Sequence, residues 1–290
     1  MPDNPNQSRR ANGEYGPAIY PKDKPEIQIK SESVSDFAQI GVGVRIMQSN
    51  IGDATIEDGA QVINSTVGDD TVIMARSFVL GSDVGQSSSI GTDSSVVGST
   101  FDKRAGYVTI ADHVSVSSSK VGQEAFIGEY TNVQGSTIGA FCKLAGHSLI
   151  KDSSIGKHST VGELCDIQGA TALGGAIIGN EVTVAHNAIL MKNVRAGNRV
   201  RIGVGSQIGE GVVVGDGAII GEDVTIGDNV TVGAGAKIAR DAVVLSEAII
   251  GADAVIETGA AIHENCVIED GVRVRANATL VSGSTIYFGS

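Results

Sequence analysis

From Ile178 to Thr285 the chain divides into consecutive units of six residues without an insertion. The first position of every hexad is Ile, Val or Leu, apart from Ala196, and the fifth is always Val, Ala, Ser or Cys. Gly is the commonest residue at the second position. An α-helix has a period of about 3.6 residues and a half-buried strand alternates, so neither element explains this period. The repeat therefore decides the fold before any local motif is interpreted.

The residue preferences at hexad positions one, two and five predict a triangular coil of short parallel strands. An aliphatic residue at position one and a small residue at position five fit a narrow interior. Gly, Asn and Asp between them fit tight corners, where positive φ is often required. Three hexads complete one rung, and each rung buries its aliphatic side chains against rungs about 4.8 Å above and below.

The first half of the chain contains a related repeat with shorter rungs. A Ser-x-Ile/Val-Gly signature recurs at residues 49, 65, 82, 119, 136 and 153, with the related STFD at 99. Most intervals are 17 residues, one short of three hexads. The stacked serines are expected to form a column at one corner, where their hydroxyls bond the backbone or each other. The one 20-residue interval contains an outward loop at 101–109 with Lys103, Arg104 and Tyr107.

We predict one continuous solenoid domain of about fourteen rungs, about 65 Å long. Residues 34–177 form the looser rungs of about 17 residues, and residues 178–286 form the regular hexapeptide coil. Residues 1–33 are expected to be an extended N-terminal arm, with a short strand at 26–30 that caps the first rung and guards its open edge. The least regular stretch, 162–177, marks the change between the two kinds of rung.

Charge and composition exclude several functions. A formal net charge of -12 opposes nucleic-acid binding, which needs a basic footprint, and also an anionic membrane surface. No apolar run approaches the roughly 18 residues of a membrane span. The three cysteines, Cys142, Cys165 and Cys266, have no CxxC pairing and are expected to fill interior or corner positions. These features predict a cytoplasmic protein with no nucleic-acid partner and no membrane span.

The hexads resemble those of the hexapeptide-repeat family, whose fold is the left-handed parallel β-helix, an exception to the right-handed crossover rule. The resemblance implies an all-β, left-handed parallel β-helix; the spacing alone does not supply the hand. Acyltransferases of this family are typically homotrimers with active sites in the clefts between prisms. The implied partners are further copies of this chain and a small-molecule acceptor. The implied co-substrate is an acyl-CoA or acyl-carrier protein, with no tightly bound cofactor.

The string VAHNA around His186 is similar to the IAHN segment around the catalytic histidine of lipid A-pathway acyltransferases. The resemblance implies that His186 is the general base and that Asn187 contacts the acceptor. A neutral imidazole near pH 7 suits proton removal from an amine or hydroxyl. His147, in KLAGHSL, also resembles a segment of that family, and His158 lies near a corner; both are predicted to bind substrate. The competing interpretation is that these histidines are solvated corner residues.

Four basic residues follow His186 closely: Lys192, Arg195, Arg199 and Arg201. They are predicted to bind the phosphates of the donor or an acidic carrier protein. Six residues are one third of a turn, so these side chains cannot serve one site within a single chain. In a trimer, Arg199 or Arg201 of a neighbouring subunit can face the histidine. The alternative is a solubilising ring of charge.

The function predicted is acyl transfer from a CoA or carrier-protein thioester to an amine or hydroxyl of a sugar or sugar-nucleotide-like acceptor. A non-catalytic scaffold or binding solenoid is the second interpretation. A zinc enzyme like the gamma-class carbonic anhydrases is the third. In that family two histidine ligands lie five residues apart, whereas His147, His158 and His186 are separated by 11 and 28 residues. No metal site is therefore predicted.

Overall fold

A computed structural model describes residues 27–31, 33–102, 107–172 and 174–287. Within these ranges the regular elements are all β-strands, paired in parallel into three sheets of fifteen strands each. Successive strands enter the first, second and third sheet in turn, so the chain coils into a triangular prism. The predicted all-β parallel β-helix is confirmed, and its left hand stays a prediction from the resemblance.

The strand bounds follow the three sheets. The first sheet contains β1 (Gln28–Lys30), β4 (Arg45–Met47), β7 (Gln61–Ile63), β10 (Phe78–Leu80), β13 (Ser95–Val97), β16 (Ser115–Ser117), β19 (Asn132–Gln134), β22 (Leu149–Lys151), β25 (Asp166–Gln168), β28 (Thr183–Val184), β31 (Arg201–Ile202), β34 (Ile219–Ile220), β37 (Lys237–Ile238), β40 (Val255–Ile256) and β43 (Arg273–Val274). The second contains β2 (Ser33–Val34), β5 (Asn50–Ile51), β8 (Thr66–Val67), β11 (Asp83–Val84), β14 (Thr100–Phe101), β17 (Lys120–Val121), β20 (Thr137–Ile138), β23 (Ser154–Ile155), β26 (Thr171–Ala172), β29 (Ile189–Leu190), β32 (Gln207–Ile208), β35 (Thr225–Ile226), β38 (Val243–Val244), β41 (Ala261–Ile262) and β44 (Thr279–Leu280). The third contains β3 (Gln39–Ile40), β6 (Thr55–Ile56), β9 (Val72–Ile73), β12 (Ser89–Ile90), β15 (Thr109–Ile110), β18 (Phe126–Ile127), β21 (Lys143–Leu144), β24 (Thr160–Val161), β27 (Ile177–Ile178), β30 (Arg195–Ala196), β33 (Val213–Val214), β36 (Thr231–Val232), β39 (Ile249–Ile250), β42 (Val267–Ile268) and β45 (Thr285–Ile286).

Three corners connect the sheets, and we number them by the sheets they join. The first corner joins the first and second sheets (185–188 in one rung). The second corner joins the second and third sheets (191–194). The third corner joins the third sheet to the next rung (197–200). At position four of each corner hexad the backbone enters the positive-φ region, as at Asn187 (+60°) and Arg199 (+56°), which confirms the predicted tight corners.

The hexad columns form the interior as predicted. Positions one and five are buried from Ile178 to Val274, as for Val184 and Leu190 at position one and Val182 and Ala188 at position five. Burying one aliphatic side chain stabilises the folded state by about 1.5–3 kcal/mol. Each strand also donates backbone hydrogen bonds to the next rung, for example from Ile189 N–H to the Ser206 carbonyl at 2.9 Å. Burial and hydrogen bonding therefore repeat with the same period along the coil.

The first strand of the coil falls within the predicted short strand at 26–30. Strand β1 pairs in parallel with β4, so 28–30 forms the first strand of the first sheet and adds a rung to the predicted fourteen. Fifteen rungs make a rod of about 70 Å. Residues 1–26 of the predicted arm lie outside the described residues, as do Lys103 and Arg104 of the predicted loop.

The change in rung length falls at the first corner. Paired residues of the first sheet are 17 apart between Asp166 and Thr183 and 18 apart between Thr183 and Arg201. The stretch 162–177 was predicted to be irregular, yet it forms β25 and β26 in register with the neighbouring rungs. One residue gained at one corner therefore separates the two halves.

The predicted serine column runs along the first corner and is buried. Each hydroxyl accepts a hydrogen bond from the backbone N–H at the same place in the next rung, at 3.1–3.2 Å in every case. Each also lies 2.7–3.0 Å from the carbonyl two residues earlier, to which it donates. The column consists of Ser49, Ser65, Ser82, Ser99, Ser119, Ser136 and Ser153 and ends at the N–H of Ala170. These hydroxyls supply the acceptors that the shortened corners lack.

We predict that Ser119→Ala lowers the free energy of unfolding by about 1–3 kcal/mol, because it leaves the buried Ser136 N–H without its acceptor. Urea unfolding followed by circular dichroism measures the change. Ser154→Ala is the matched control, since Ser154 lies on the exposed outer side of β23. Equal effects of the two substitutions would contradict a structural role for the column.

Candidate functional site

His186 lies at the first corner, between β28 and β29, and its side chain is exposed. Its ring stands over Gly169 in the preceding rung. A Cβ at residue 169 would lie 2.3 Å from His186 Nδ1, so glycine is required for the ring to occupy this place. The Asn187 N–H donates to the Gly169 carbonyl at 2.8 Å, and the Gly205 N–H donates to the His186 carbonyl at 3.0 Å. The histidine backbone is therefore tied to both neighbouring rungs.

The position of His186 coincides with the change in rung length. The serine column ends at Ala170, one rung earlier on the same corner, and the corner at 185–188 is the first with the full hexad. The added residue lengthens the corner on which the imidazole is carried. The repeat accounts for the buried aliphatic residues around His186. The side chains of His186 and Asn187 are exposed, and the repeat does not determine which residues stand there.

The other predicted substrate-binding histidines lie on different corners. His147 is on the third corner and stacks on Tyr130, with ring centroids 5.0 Å apart and an interplanar angle of 12°. Tyr130 stacks in turn on His113 at 4.8 Å. His158 is on the second corner and stacks on Phe141 at 4.8 Å with an angle of 3°. One copy of the chain therefore does not bring His147, His158 and His186 together.

The third-corner stack continues into an ion pair. Arg76 and Asp93 occupy the rungs before His113 and form a bidentate contact, with N–O distances of 2.6 and 2.7 Å. The hydrogen bond from the Arg76 guanidinium and its positive charge hold the pKa of the Asp93 carboxyl below its usual range. Exposed pairs of this kind contribute little to stability because solvent screens them.

The four predicted donor-binding residues lie at four different positions around part of the prism, within two rungs. Lys192 lies on the second corner, Arg195 on the third sheet, Arg199 on the third corner and Arg201 on the first sheet. None lies on the first corner with His186. These four side chains are close together in the sequence and dispersed in space.

A shallow groove of about 480 Å³ opens beside the second corner. Lys120, Lys157, Thr137, Phe141 and His158 are among its lining residues. Sequence reasoning missed Phe141 and Tyr130. The signal was present, because both occupy the corner position that takes positive φ, where Gly, Asn and Asp are usual.

The cysteines are free and buried, as predicted. Burial raises the pKa of the Cys142 and Cys165 thiols above the usual range. Both sulfurs contact corner carbonyls, of Gly156 at 2.9 Å and Gly179 at 3.1 Å. Within the described ranges, no three His, Cys, Asp or Glu side chains are grouped to hold a metal ion. Nor does this part of the chain contain a helix suited to crossing a membrane.

The comparisons with known proteins bear on the repeat. A family described as bacterial transferase hexapeptide (six repeats) matches residues 205–240 and 241–282. This match covers less than half of the chain and lies within its regular part. No curated protein matches the sequence.

Solved structures with similar coils include three transferases. A UDP-N-acetylglucosamine acyltransferase from Arabidopsis is 17% identical, with a TM-score of 0.31, covering 76% of this chain and 71% of that one. A UDP-N-acetylglucosamine O-acyltransferase from Moraxella catarrhalis is 14% identical, with a TM-score of 0.23 and coverages of 79% and 68%. A putative acetyltransferase from Desulfovibrio desulfuricans is 11% identical, with a TM-score of 0.22 and coverages of 79% and 67%. At these values the likeness carries no functional argument.

We predict that Gly169→Ala displaces the His186 ring and lowers stability, because the new Cβ clashes with Nδ1 and φ is +58°. Gly81→Ala is the matched control: Gly81 lies on the same corner with the same φ, and its Cβ would meet nothing within 4 Å. Both substitutions carry the backbone cost of about 1–2 kcal/mol. Only Gly169→Ala should also change the rate at which diethyl pyrocarbonate modifies His186, measured by peptide mass spectrometry. Equal rates in the two variants would contradict the described packing.

Proposed function

We propose that this protein is an acyltransferase that uses an acyl-CoA or acyl-carrier-protein thioester as donor. The observation that carries the proposal is the hexapeptide coil of the bacterial transferase type with histidines exposed at its corners. The acceptor is an amine or hydroxyl of a sugar or sugar-nucleotide-like molecule. We place the site between copies of a homotrimer, because the grooves on the described part of one prism are shallow.

The reaction needs one general base and one means of holding the donor. The histidine takes the proton of the acceptor amine or hydroxyl as its nitrogen or oxygen attacks the thioester carbonyl. The C–S bond then breaks, and the thiolate leaves and takes up a proton. Corner N–H groups and basic side chains stabilise the oxyanion and the donor phosphates. The acylated acceptor and the free thiol are the products.

Two histidines compete for the role of base. His186 is supported by the VAHN string, its exposure and the room that Gly169 leaves for its ring. His158 is supported by its position in the groove, next to Lys120 and Lys157, and by Phe141, which fixes its ring by stacking. Both side chains are exposed at corners, so the way in which the copies pack determines which of them contacts the substrate.

Release of free thiol from acetyl-CoA and longer acyl-CoA in the presence of amino-sugar acceptors tests the activity. We expect substitution of the base by alanine to lower kcat/KM by about 10²–10⁴-fold. His186→Ala and His158→Ala are to be compared with His263→Ala, a change in an ordinary repeat unit. No acceptor-dependent thiol release by the wild-type protein, with CoA or carrier-protein donors, would sink the proposal and leave the binding solenoid.

A further inference from the structure

The interior of the coil is uncovered at both ends of the described chain. Ile29 lies in the interior column of the first sheet, one rung before Ile46; it is 47% exposed, whereas Ile46 is fully buried. At the other end, Leu280 and Ile286 lie in the interior columns of the second and third sheets and are only partly buried. Solenoids normally end in capping repeats with a polar outer face. The described terminal rungs leave apolar side chains open instead.

The most exposed large apolar side chains lie at the same two ends. Val281 is 71% exposed and Phe37 is 66% exposed, and no other large apolar residue in the described ranges reaches these values. Both lie on the second corner, Phe37 in the first rung and Val281 in the last. Apolar surface beside open strand edges favours contact with another chain.

The backbone is also open at both ends. Between neighbouring rungs, the N–H that follows each interior residue donates to the interior carbonyl of the next rung, as between β41 and β44 at 3.2 Å. In the last rung the corresponding N–H groups are those of Arg275 and Val281, and they donate to no described residue. In the first rung the corresponding carbonyls are those of Ile29 and Val34, and they accept from no described residue. Such strand edges are templates for pairing with a further strand.

The two ends carry opposite net charge. The first rung, 28–43, contains one cation and two carboxylates, Lys30, Glu32 and Asp36, whereas the last rung, 273–287, contains only the cations Arg273 and Arg275. The next rungs inward are acidic at both ends and contain seven carboxylates: Asp53, Glu57, Asp58, Glu257, Glu264, Glu269 and Asp270. If one end lies on the other, these two acidic groups are three rung spacings apart, about 14 Å. Solvent screens them at that distance, because the Debye length is about 8 Å at physiological ionic strength.

We propose that copies of this chain stack end to end, with the first rung of one copy on the last rung of the next. The described coil begins in the first sheet and ends in the third, so fifteen whole turns leave both ends open at the same corner. The three sheets therefore continue across the junction in their existing order. The open N–H groups of the last rung then meet the open carbonyls of the first, in the register of the internal rungs. The interior residues that cover each other are Ile29 and Val274, Val34 and Leu280, and Ile40 and Ile286.

Charge and apolar surface both favour contact between unlike ends. Two last rungs would bring four cations together, and two first rungs would bring together two rungs of net negative charge. Contact between unlike ends pairs cations with carboxylates. It also places Phe37 of one copy beside Val281 of the next, on the shared second corner. The direction of stacking is therefore head to tail, which leaves an open end at each side for further copies.

The junction is small, so the assembly depends on protein concentration. Each side of the triangle takes one hexad, at most about 20 Å of extended chain, and the triangular end has an area of at most roughly 170 Å². A standard stable interface buries roughly 800 Å² per copy. Single rods are expected in dilute solution and longer rods in concentrated solution.

Small-angle X-ray scattering of the full chain tests the stacking without reference to activity. At physiological ionic strength we expect the maximum dimension to increase from about 70 Å at micromolar concentration to about 140 Å or more at millimolar concentration. The radius of the cross-section should stay constant, because copies add along the rod axis. A maximum dimension that stays near 70 Å up to millimolar concentration, or growth of the cross-section in its place, overturns the proposal.

Two variants, each with one altered end, test the direction of stacking. Leu280→Asp and Ile29→Asp place a carboxylate in the interior column at opposite ends, where the junction would bury it without a partner. Neither variant alone should lengthen. An equal mixture should form pairs of about 140 Å and nothing longer, because each variant keeps one intact end. Thr279→Asp is the matched control, since its side chain lies on the exposed outer side of β44, and it should lengthen like the wild type. Pairing by either variant alone, absence of pairs in the mixture, or loss of lengthening in Thr279→Asp overturns the head-to-tail junction.

Discussion

The structure depends on the vertical stacking of identical short strands at rung spacing. Each strand finds its hydrogen-bond partners and its apolar contacts in the rungs above and below, so local order repeats without long-range packing. The narrow interior therefore limits the size of the buried side chains, as at Val184, Leu190 and Ala196. Because the repeat dictates these residues, they carry no information about function. What function the chain has must be built from outward residues.

Outward residues on a prism are constrained by their corners and faces. Residues one hexad apart point in directions that differ by a third of a turn, so a cluster in the sequence is dispersed in space. The histidines illustrate this, with His147, His158 and His186 each on a different corner. A site of ordinary size needs side chains from several directions, which the single corner at His186 does not supply.

The sequence predicts the architecture well because its six-residue period determines the coil. The hexads identify the buried columns, and the recurring serines identify the first corner. Gln28–Lys30 lies before the first recognisable signature, so its place as the first strand of the first sheet shows only through its pairing with β4. The aromatic stacks were also missed, although Tyr130 and Phe141 stand out at corner positions that the repeat normally gives to Gly, Asn or Asp.

The stacking of the first rung of one copy on the last rung of the next is the claim that extends this rung contact beyond one chain. Cross-linking tests it directly: Val281→Cys is mixed with Phe37→Cys and treated with a short bis-maleimide. The native cysteines are buried, and burial raises the pKa of the Cys142 and Cys165 thiols, so the introduced thiols react first. We predict a cross-linked pair containing one chain of each variant, and none when Met191→Cys, on the second corner five rungs before the last, replaces Phe37→Cys. Equal cross-linking with Met191→Cys, or none with Phe37→Cys, would contradict the stacking.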